Sequence, residues 1–348
     1  MSKISGLQTS DFDQNIRPQD DLYRHVNAQW FKRTEIPSDR ARYGSFHKLA
    51  DEAEDAVKTL VEQAISAEAG TPERQFGDLY SSFMNTERIE ALGWKPLEGL
   101  FQQVDSVTDL PSFLSLLGEL ERKGLAAAIN LFVDNDPGNP ERYIVLFQQG
   151  GLGLPDESYY REESFAEIRE KYQAHLVRML TLAGLENPEA QAAAIFALET
   201  KIASFHWDNV KSREATLTYN LRRWSELSEE LGGVLDPWLK AIGAPEKAFE
   251  EIVVRQPSFV SGLAGLLQSE NLDSWKSWLR WELIHSHAAY LHDEAVEANF
   301  DFYGRTLTGQ PEMRIRWKRG VSLVEGSLGD SIGKLYAAKF FPAESKVA

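Results

Sequence analysis

Leu49-Ala-Asp-Glu-Ala-Glu-Asp-Ala-Val-Lys-Thr-Leu-Val-Glu-Gln-Ala-Ile65 is the stretch on which the reading of the fold turns. Leu49, Ala53, Val57, Leu60, Val61, Ala64 and Ile65 recur at steps of three and four, the period of one helix face, while the acids and Lys58 fall on the other side. Gly70 and Pro72 then stop the pattern. The stretch predicts an amphipathic helix with one buried face, and the same pattern recurs along most of the chain. A second helix is expected from about Pro72 to Leu92, ended by Gly93, and a third follows Asp109 and Pro111 and ends at Gly124. At each boundary a capping residue, a first-turn proline or a terminal glycine agrees with the periodicity.

Further helices are expected at about 163–183, 188–206, 221–231, 257–268, 271–297 and 320–341. One segment breaks the pattern. Ala127–Val133 and Arg142–Gln148 are short and rich in β-favouring residues, and the turn-forming run Asp134-Asn-Asp-Pro-Gly-Asn-Pro140 separates them. The expected fold class is therefore mainly α, a multi-helix lobe with one small inserted β-hairpin at about 127–148.

Composition narrows the functional classes. The 348 residues carry 37 basic and 53 acidic side chains, a formal charge of −16, with 43% apolar residues. That is the balance of a globular protein of about two domains. The longest run free of charged residues, Gln256 to Ser269, is too short and too rich in Gly and Ser to span a bilayer. Met1–Ser10 lacks the apolar core of a secretory leader, so a cytoplasmic location is the expectation. With no cysteine, thiol nucleophiles and Cys-ligated metals are excluded. The acidic charge opposes nucleic acid and anionic membrane as partners. The densest basic run, Arg314, Arg316, Lys318 and Arg319, spreads around a helix and reads as a solvated face.

The chain shows no catalytic motif. A zinc hydrolase commonly presents His-Glu-x-x-His, and none of the seven histidines is followed by Glu. His285, His287 and His292 cluster in sequence, but His285 and His292 would stand about 10.5 Å apart along a helix. Structural or surface roles are expected for them. Gly150-Gly-Leu-Gly-Leu-Pro155 lacks the Lys-Ser/Thr of a phosphate loop and reads as a tight connection after the hairpin. Adjacent acids such as Glu162/Glu163 read as solvated faces, and no Gly-x-Ser-x-Gly elbow nominates a nucleophile. Taken bare, Arg42 in Ala41-Arg-Tyr-Gly-Ser-Phe46 reads as a surface ion pair and Phe46 as a core side chain. The alternative is a guanidinium poised for a carboxylate beside an apolar wall.

A resemblance adds to this. Asp21-Leu-Tyr-Arg-His-Val-Asn-Ala-Gln-Trp30 and Glu35-Ile-Pro-Ser-Asp-Arg-Ala-Arg-Tyr-Gly-Ser-Phe46 resemble the opening signature of the neprilysin-like zinc metallopeptidases. The likeness continues, in order, through Gln149-Gly-Gly-Leu-Gly-Leu-Pro-Asp-Glu-Ser-Tyr-Tyr160, Thr218-Tyr-Asn220, Val254-Arg-Gln-Pro257 and Asn299-Phe-Asp-Phe-Tyr-Gly-Arg-Thr-Leu307. It closes with Arg316-Trp-Lys-Arg319 and Phe341-Pro342. The resemblance implies an N-terminal half, bacterial and soluble in type because the paired cysteines and membrane anchor of animal members are missing. Residues 1–50 would belong to the catalytic lobe. Residues 51–348 would form the helical lobe that encloses the cavity and limits substrate size.

The His-Glu-x-x-His helix and the third zinc ligand of the family lie in the half not present in this sequence. The resemblance thus implies Zn2+ in the full-length peptidase, none bound to this chain, and inactivity of this chain alone. Peptide substrates and the C-terminal catalytic half are the implied partners, with no catalytic or metal residue here. Arg42 matches the family arginine that holds the substrate's carboxylate end, and Phe46 a wall residue of the pocket past the scissile bond. Two positions depart from the pattern: Ala50 stands where some members carry a second arginine, and His47 where they carry an acid. A stand-alone, non-catalytic helical module that binds peptides or a protein is the alternative.

Overall fold

A computed structural model describes residues 9–125 and 128–341. Ala127 of the expected hairpin and Pro342 of the closing motif lie outside these residues. The described residues divide into two compact units, one formed by those within 1–84 and 308–348 and the other by those within 85–307.

In the first unit, Asp21 opens the helix Leu22–Arg33 by accepting a hydrogen bond from the Arg24 N–H at 2.9 Å. The stretch around Leu49 lies in the helix Ser45–Ala64, and its Val57, Leu60, Val61 and Ala64 are buried. Helices Pro72–Met84 and Arg316–Phe340 supply the rest of this core through Phe76, Tyr80, Val321, Val324 and Ile332. Each such side chain contributes roughly 1.5–3 kcal/mol by leaving water. The long helix kinks at Leu328 (φ −134°), inside Gly326-Ser-Leu-Gly329, where small residues hold the turn weakly.

The second unit buries Tyr172, Trp238, Trp275, Trp278 and Trp281 among the helices Lys95–Asp105, Leu110–Arg122, Ala166–Leu182, Pro188–Ala203, Asp236–Ile242, Pro257–Ser269 and Leu272–His287. The hairpin is present as β1 (Ile129–Asp136) and β2 (Asn139–Gln149), antiparallel with Val133 opposite Val145. It is part of a larger sheet of order β1-β2-β4-β3. Here β3 is Leu221–Arg222 and β4 is Ile252–Val254, and β4 runs parallel to β2 with Phe147 opposite Val254. The mainly α fold with a small β insert holds.

Three expected helices are interrupted. The helix expected over 72–92 ends at Met84, because Asn85 caps a new helix, Thr86–Leu92, by accepting from the Arg88 N–H at 3.1 Å. The expected 271–297 helix breaks after His287, and a new one, Asp293–Phe300, starts where the Asp293 N–H donates to the Glu90 carboxylate at 2.7 Å. In the expected 221–231 helix, Leu221–Arg222 is instead drawn into the sheet, leaving Trp224–Glu230 helical.

Candidate functional site

Arg42 and Phe46 flank the start of the helix Ser45–Ala64, and the loop before it is tied down on one side. Ser38 donates to the Glu312 carboxylate at 2.6 Å, and the Glu312 N–H returns a bond to the Ser38 carbonyl at 3.0 Å. Arg40 pairs with Asp51. The backbone then runs extended through Gly44, whose carbonyl accepts the N–H groups of His47 at 3.0 Å and Lys48 at 3.1 Å. Arg42 is exposed and makes no hydrogen bond or ion pair with the described residues. Phe46 is 85% exposed and Leu49, one turn on, is exposed too. The bare reading of a surface ion pair and a core aromatic is therefore corrected, because the loop is held through Ser38 and Arg40 instead. A guanidinium with its donors free, close in sequence to exposed apolar side chains, suits a carboxylate attached to an apolar residue.

The basic run near 314–319 is not a solvated face. Arg314 pairs with the buried Glu54, Lys318 lies 3.8 Å from the carboxylates of both Asp51 and Glu54, and Arg316 donates to the Phe83 carbonyl at 2.8 Å. These cations hold the first unit together internally. The i, i+2 spacing hid this because their acceptors are distant in sequence.

The histidines are dispersed among aromatic side chains. His175 is buried and stacks on Phe302 with ring centres 5.0 Å apart, and burial, with His285 second, pushes its pKa down to about 3. His285 stacks on Trp281, the His287 ring nitrogen lies 2.7 Å from the Leu283 carbonyl, and His292 meets the edge of Trp94. Among the described residues no three His, Asp or Glu side chains converge to hold a metal ion. The described residues therefore offer no set of side chains that would hold zinc.

A polar feature that the sequence did not reveal lies in the second unit. Glu199 is wholly buried on the otherwise apolar inner face of the helix Pro188–Ala203, beside Ala192, Ile195, Leu198 and Ile202. Tyr160 donates to one carboxyl oxygen at 2.8 Å and Tyr172 to the other at 3.0 Å; Tyr160 also accepts from the Leu154 N–H at 3.1 Å. Burial pushes the Glu199 pKa up to about 8, outweighing the two tyrosine bonds that favour the charge, so it holds a proton at neutral pH. The glycine-rich loop follows from this network. A methyl group on Gly153 would overlap the Tyr172 hydroxyl, and Tyr303 donates to the Gly153 carbonyl at 3.0 Å. The loop is thus a backbone-defined connection after β2, shaped by the hydroxyls that reach it. No local pattern in the sequence links Glu199 to the glycines some fifty residues earlier or to the tyrosines that reach it.

Comparison with known proteins completes the description. The family model described as Peptidase family M13 matches residues 18–348. Membrane metallo-endopeptidase-like 1 of Mus musculus is 26% identical over 97% of this chain and 47% of its own length. Neutral endopeptidase of Lactobacillus helveticus is 25% identical over 96% of this chain and 52% of its own. Among solved structures, the zinc metalloprotease ZMP1 of Mycobacterium tuberculosis, crystallised with an inhibitor, superposes with a TM-score of 0.93. It is 44% identical over 99% of this chain and 53% of its own. The chain spans about half the length of the relatives it matches.

Proposed function

The chain belongs to peptidase family M13, as the N-terminal part of a neprilysin-like zinc metallopeptidase, and from that we infer that its task is to enclose a peptide-binding cavity whose chemistry is supplied by further polypeptide. The observation that carries the reading is the pairing of a family match over nearly the whole chain with a sequence in which no histidine precedes a glutamate. On this reading the chain is inactive alone and its helical part limits the size of substrate admitted. Zinc, when bound in the full-length peptidase, polarises the scissile carbonyl and activates water, with ligands from the C-terminal half. Residues 1–50, together with the helices Ser45–Ala64, Pro72–Met84 and Arg316–Phe340 that share their unit, belong with that half, and the unit 85–307 forms the enclosing lobe.

The exposed side chains of the first unit support a missing partner. Leu22, Tyr23, Phe31, Ile36, Phe46 and Leu49 are all large, apolar and exposed within its N-terminal stretch. Such a concentration marks a surface that is normally covered. Arg42 then binds the carboxylate end of the peptide and Phe46 forms the apolar wall beside it. No helix among the described residues is long and apolar enough to cross a membrane.

Joining this chain to a family C-terminal half that carries His-Glu-x-x-His tests the reading. The joined protein is expected to cleave a quenched oligopeptide and to leave a folded protein of the same sequence content intact. Equal cleavage of both would remove the size-limiting role.

A further inference from the structure

The second unit contains a cavity of about 390 Å3 beside the loop Gly150–Pro155, at the carboxyl ends of the parallel strands β2 and β4. Its volume lies in the range of small-ligand sites, and the carboxyl ends of parallel strands are where such sites form in open sheets. The frame is rigid. The Gln149 N–H donates to the Gln256 side chain at 3.0 Å, and the Gln149 side chain bonds the Trp207 backbone at 2.9 and 2.8 Å. His206 lies 2.9 Å from the Gly150 carbonyl.

Against this tied frame, three polar side chains that line the cavity lack partners. Glu282, only 7% exposed, makes no hydrogen bond with the described residues. The Ser212 hydroxyl is buried and unbonded. The half-buried Arg255 has no acceptor for its guanidinium among the described residues. Buried polar groups normally find partners, so the unbonded Ser212 hydroxyl and Glu282 carboxyl, beside a guanidinium without an acceptor among the described residues, point to a ligand that completes them. The helix Pro257–Ser269 begins next to Arg255, and its N-terminal end adds partial positive charge at the rim.

We propose that this cavity binds the carboxylate of a peptide, with Arg255 supplying the charge-assisted bonds and Ser212 and Glu282 donating the remaining hydrogen bonds. Burial, with Glu199 second, pushes Glu282 well above the usual carboxylate range, which favours the neutral carboxyl that can donate. The side-chain amide of Gln148, also on the lining, is placed to meet the adjacent peptide group. The Asp156 carboxylate, also on the lining, already accepts from the Ser158 N–H at 2.9 Å and the Asn209 side chain at 2.7 Å. The Arg255 guanidinium, by contrast, has no acceptor among the described residues, which favours an anionic ligand group over an amine. That the ligand is a peptide rests on the peptidase reading, whereas the carboxylate follows from the side chains alone.

Binding to the purified chain at pH 7, with no zinc and no turnover required, separates this inference from that reading. The probes are N-acetyl-dialanine as the free acid, its C-terminal amide, alanine methyl ester, and acetate, measured by calorimetry. The free acid is expected to bind at least tenfold more tightly than the amide or the ester. Arg255→Gln, with an unchanged near-ultraviolet circular dichroism spectrum, is expected to lose that preference, and Arg255→Lys to retain part of it. Ser212→Ala is expected to weaken the acid several-fold and leave the amide unchanged. Equal binding of acid and amide, or acid binding untouched by Arg255→Gln, would overturn the site. No binding of the acid at all would do the same. Acetate binding as tightly as the peptide acid would overturn its assignment to peptides.

Discussion

Replacing Glu199 separates the two contributions that hold the centre of the second unit, and their sizes can be worked from its contacts. Glu199→Ala leaves the Tyr160 and Tyr172 hydroxyls without the acceptors they reach at 2.8 and 3.0 Å, in a site with no exposure to water. An orphaned buried donor costs about 1–3 kcal/mol, so with the void left behind the expected loss is about 4 kcal/mol. Glu199→Gln keeps shape and neutrality and is expected to cost about 1 kcal/mol at pH 6. The pH dependence supplies the sharper contrast. Because the folded-state pKa is raised to about 8 from the ordinary 4.5, the native protein keeps a proton that the unfolded chain releases above pH 4.5. Stability from this group is full below about 4.5 and falls as pH rises towards 8, by up to about 1.4 kcal/mol per pH unit.

Glutamine cannot titrate, so that component of the slope disappears and the Gln variant should gain on the wild type steadily from pH 5 to pH 8.5. Urea unfolding at several pH values, followed by tryptophan fluorescence, reads this directly, since Trp281 lies 6.2 Å from the Tyr172 ring. An Ala variant with the wild-type urea midpoint, or a Gln variant with the wild-type pH slope, would refute the reasoning.

Gly153→Ala should destabilise the same unit by about 2 kcal/mol through overlap with the Tyr172 hydroxyl, and Tyr172→Phe in the same chain should recover part of it in thermal melts. Arg314→Ala leaves the Glu54 carboxylate buried with Lys318, 3.8 Å away, as its remaining cation among the described ion pairs. A loss of about 3 kcal/mol is expected for the first unit, with little loss in the Arg314→Met, Glu54→Gln pair. In the full-length peptidase, Arg42→Ala should raise KM about tenfold, roughly 1.4 kcal/mol, for peptides with a free carboxylate near the cleavage point. Unchanged kinetics would take Arg42 off the binding surface.

The elements read correctly from sequence are those whose signals are local. Asp109 accepts from the Ser112 N–H at 2.8 Å in a reciprocal cap, and Gly93, Gly124 and Gly184 adopt the left-handed φ that ends their helices. The hairpin was legible because its turn residues stand between two apolar runs. What was not legible depends on partners far along the chain. Ile252–Val254 is too short to announce a strand until β2 lies beside it, and the break before Asp293 requires Glu90. At the sites the pattern is the same. The exposure of Arg42 and Phe46 follows from a tether at Glu312, the basic run near 314–319 folds onto acids of the helix Ser45–Ala64, and Glu199 draws on tyrosines 27 and 39 residues away. Periodicity says which face is buried, but it does not say which polar group is buried with it.

The most direct test of the central claim is to purify this chain in excess zinc, measure bound metal by mass spectrometry, and assay a quenched oligopeptide with and without a chelator. The expected result is substoichiometric, readily removed zinc and no chelator-sensitive hydrolysis. One tightly held zinc per chain, with turnover that the chelator abolishes, would contradict the claim that this polypeptide shapes the cavity and borrows its chemistry.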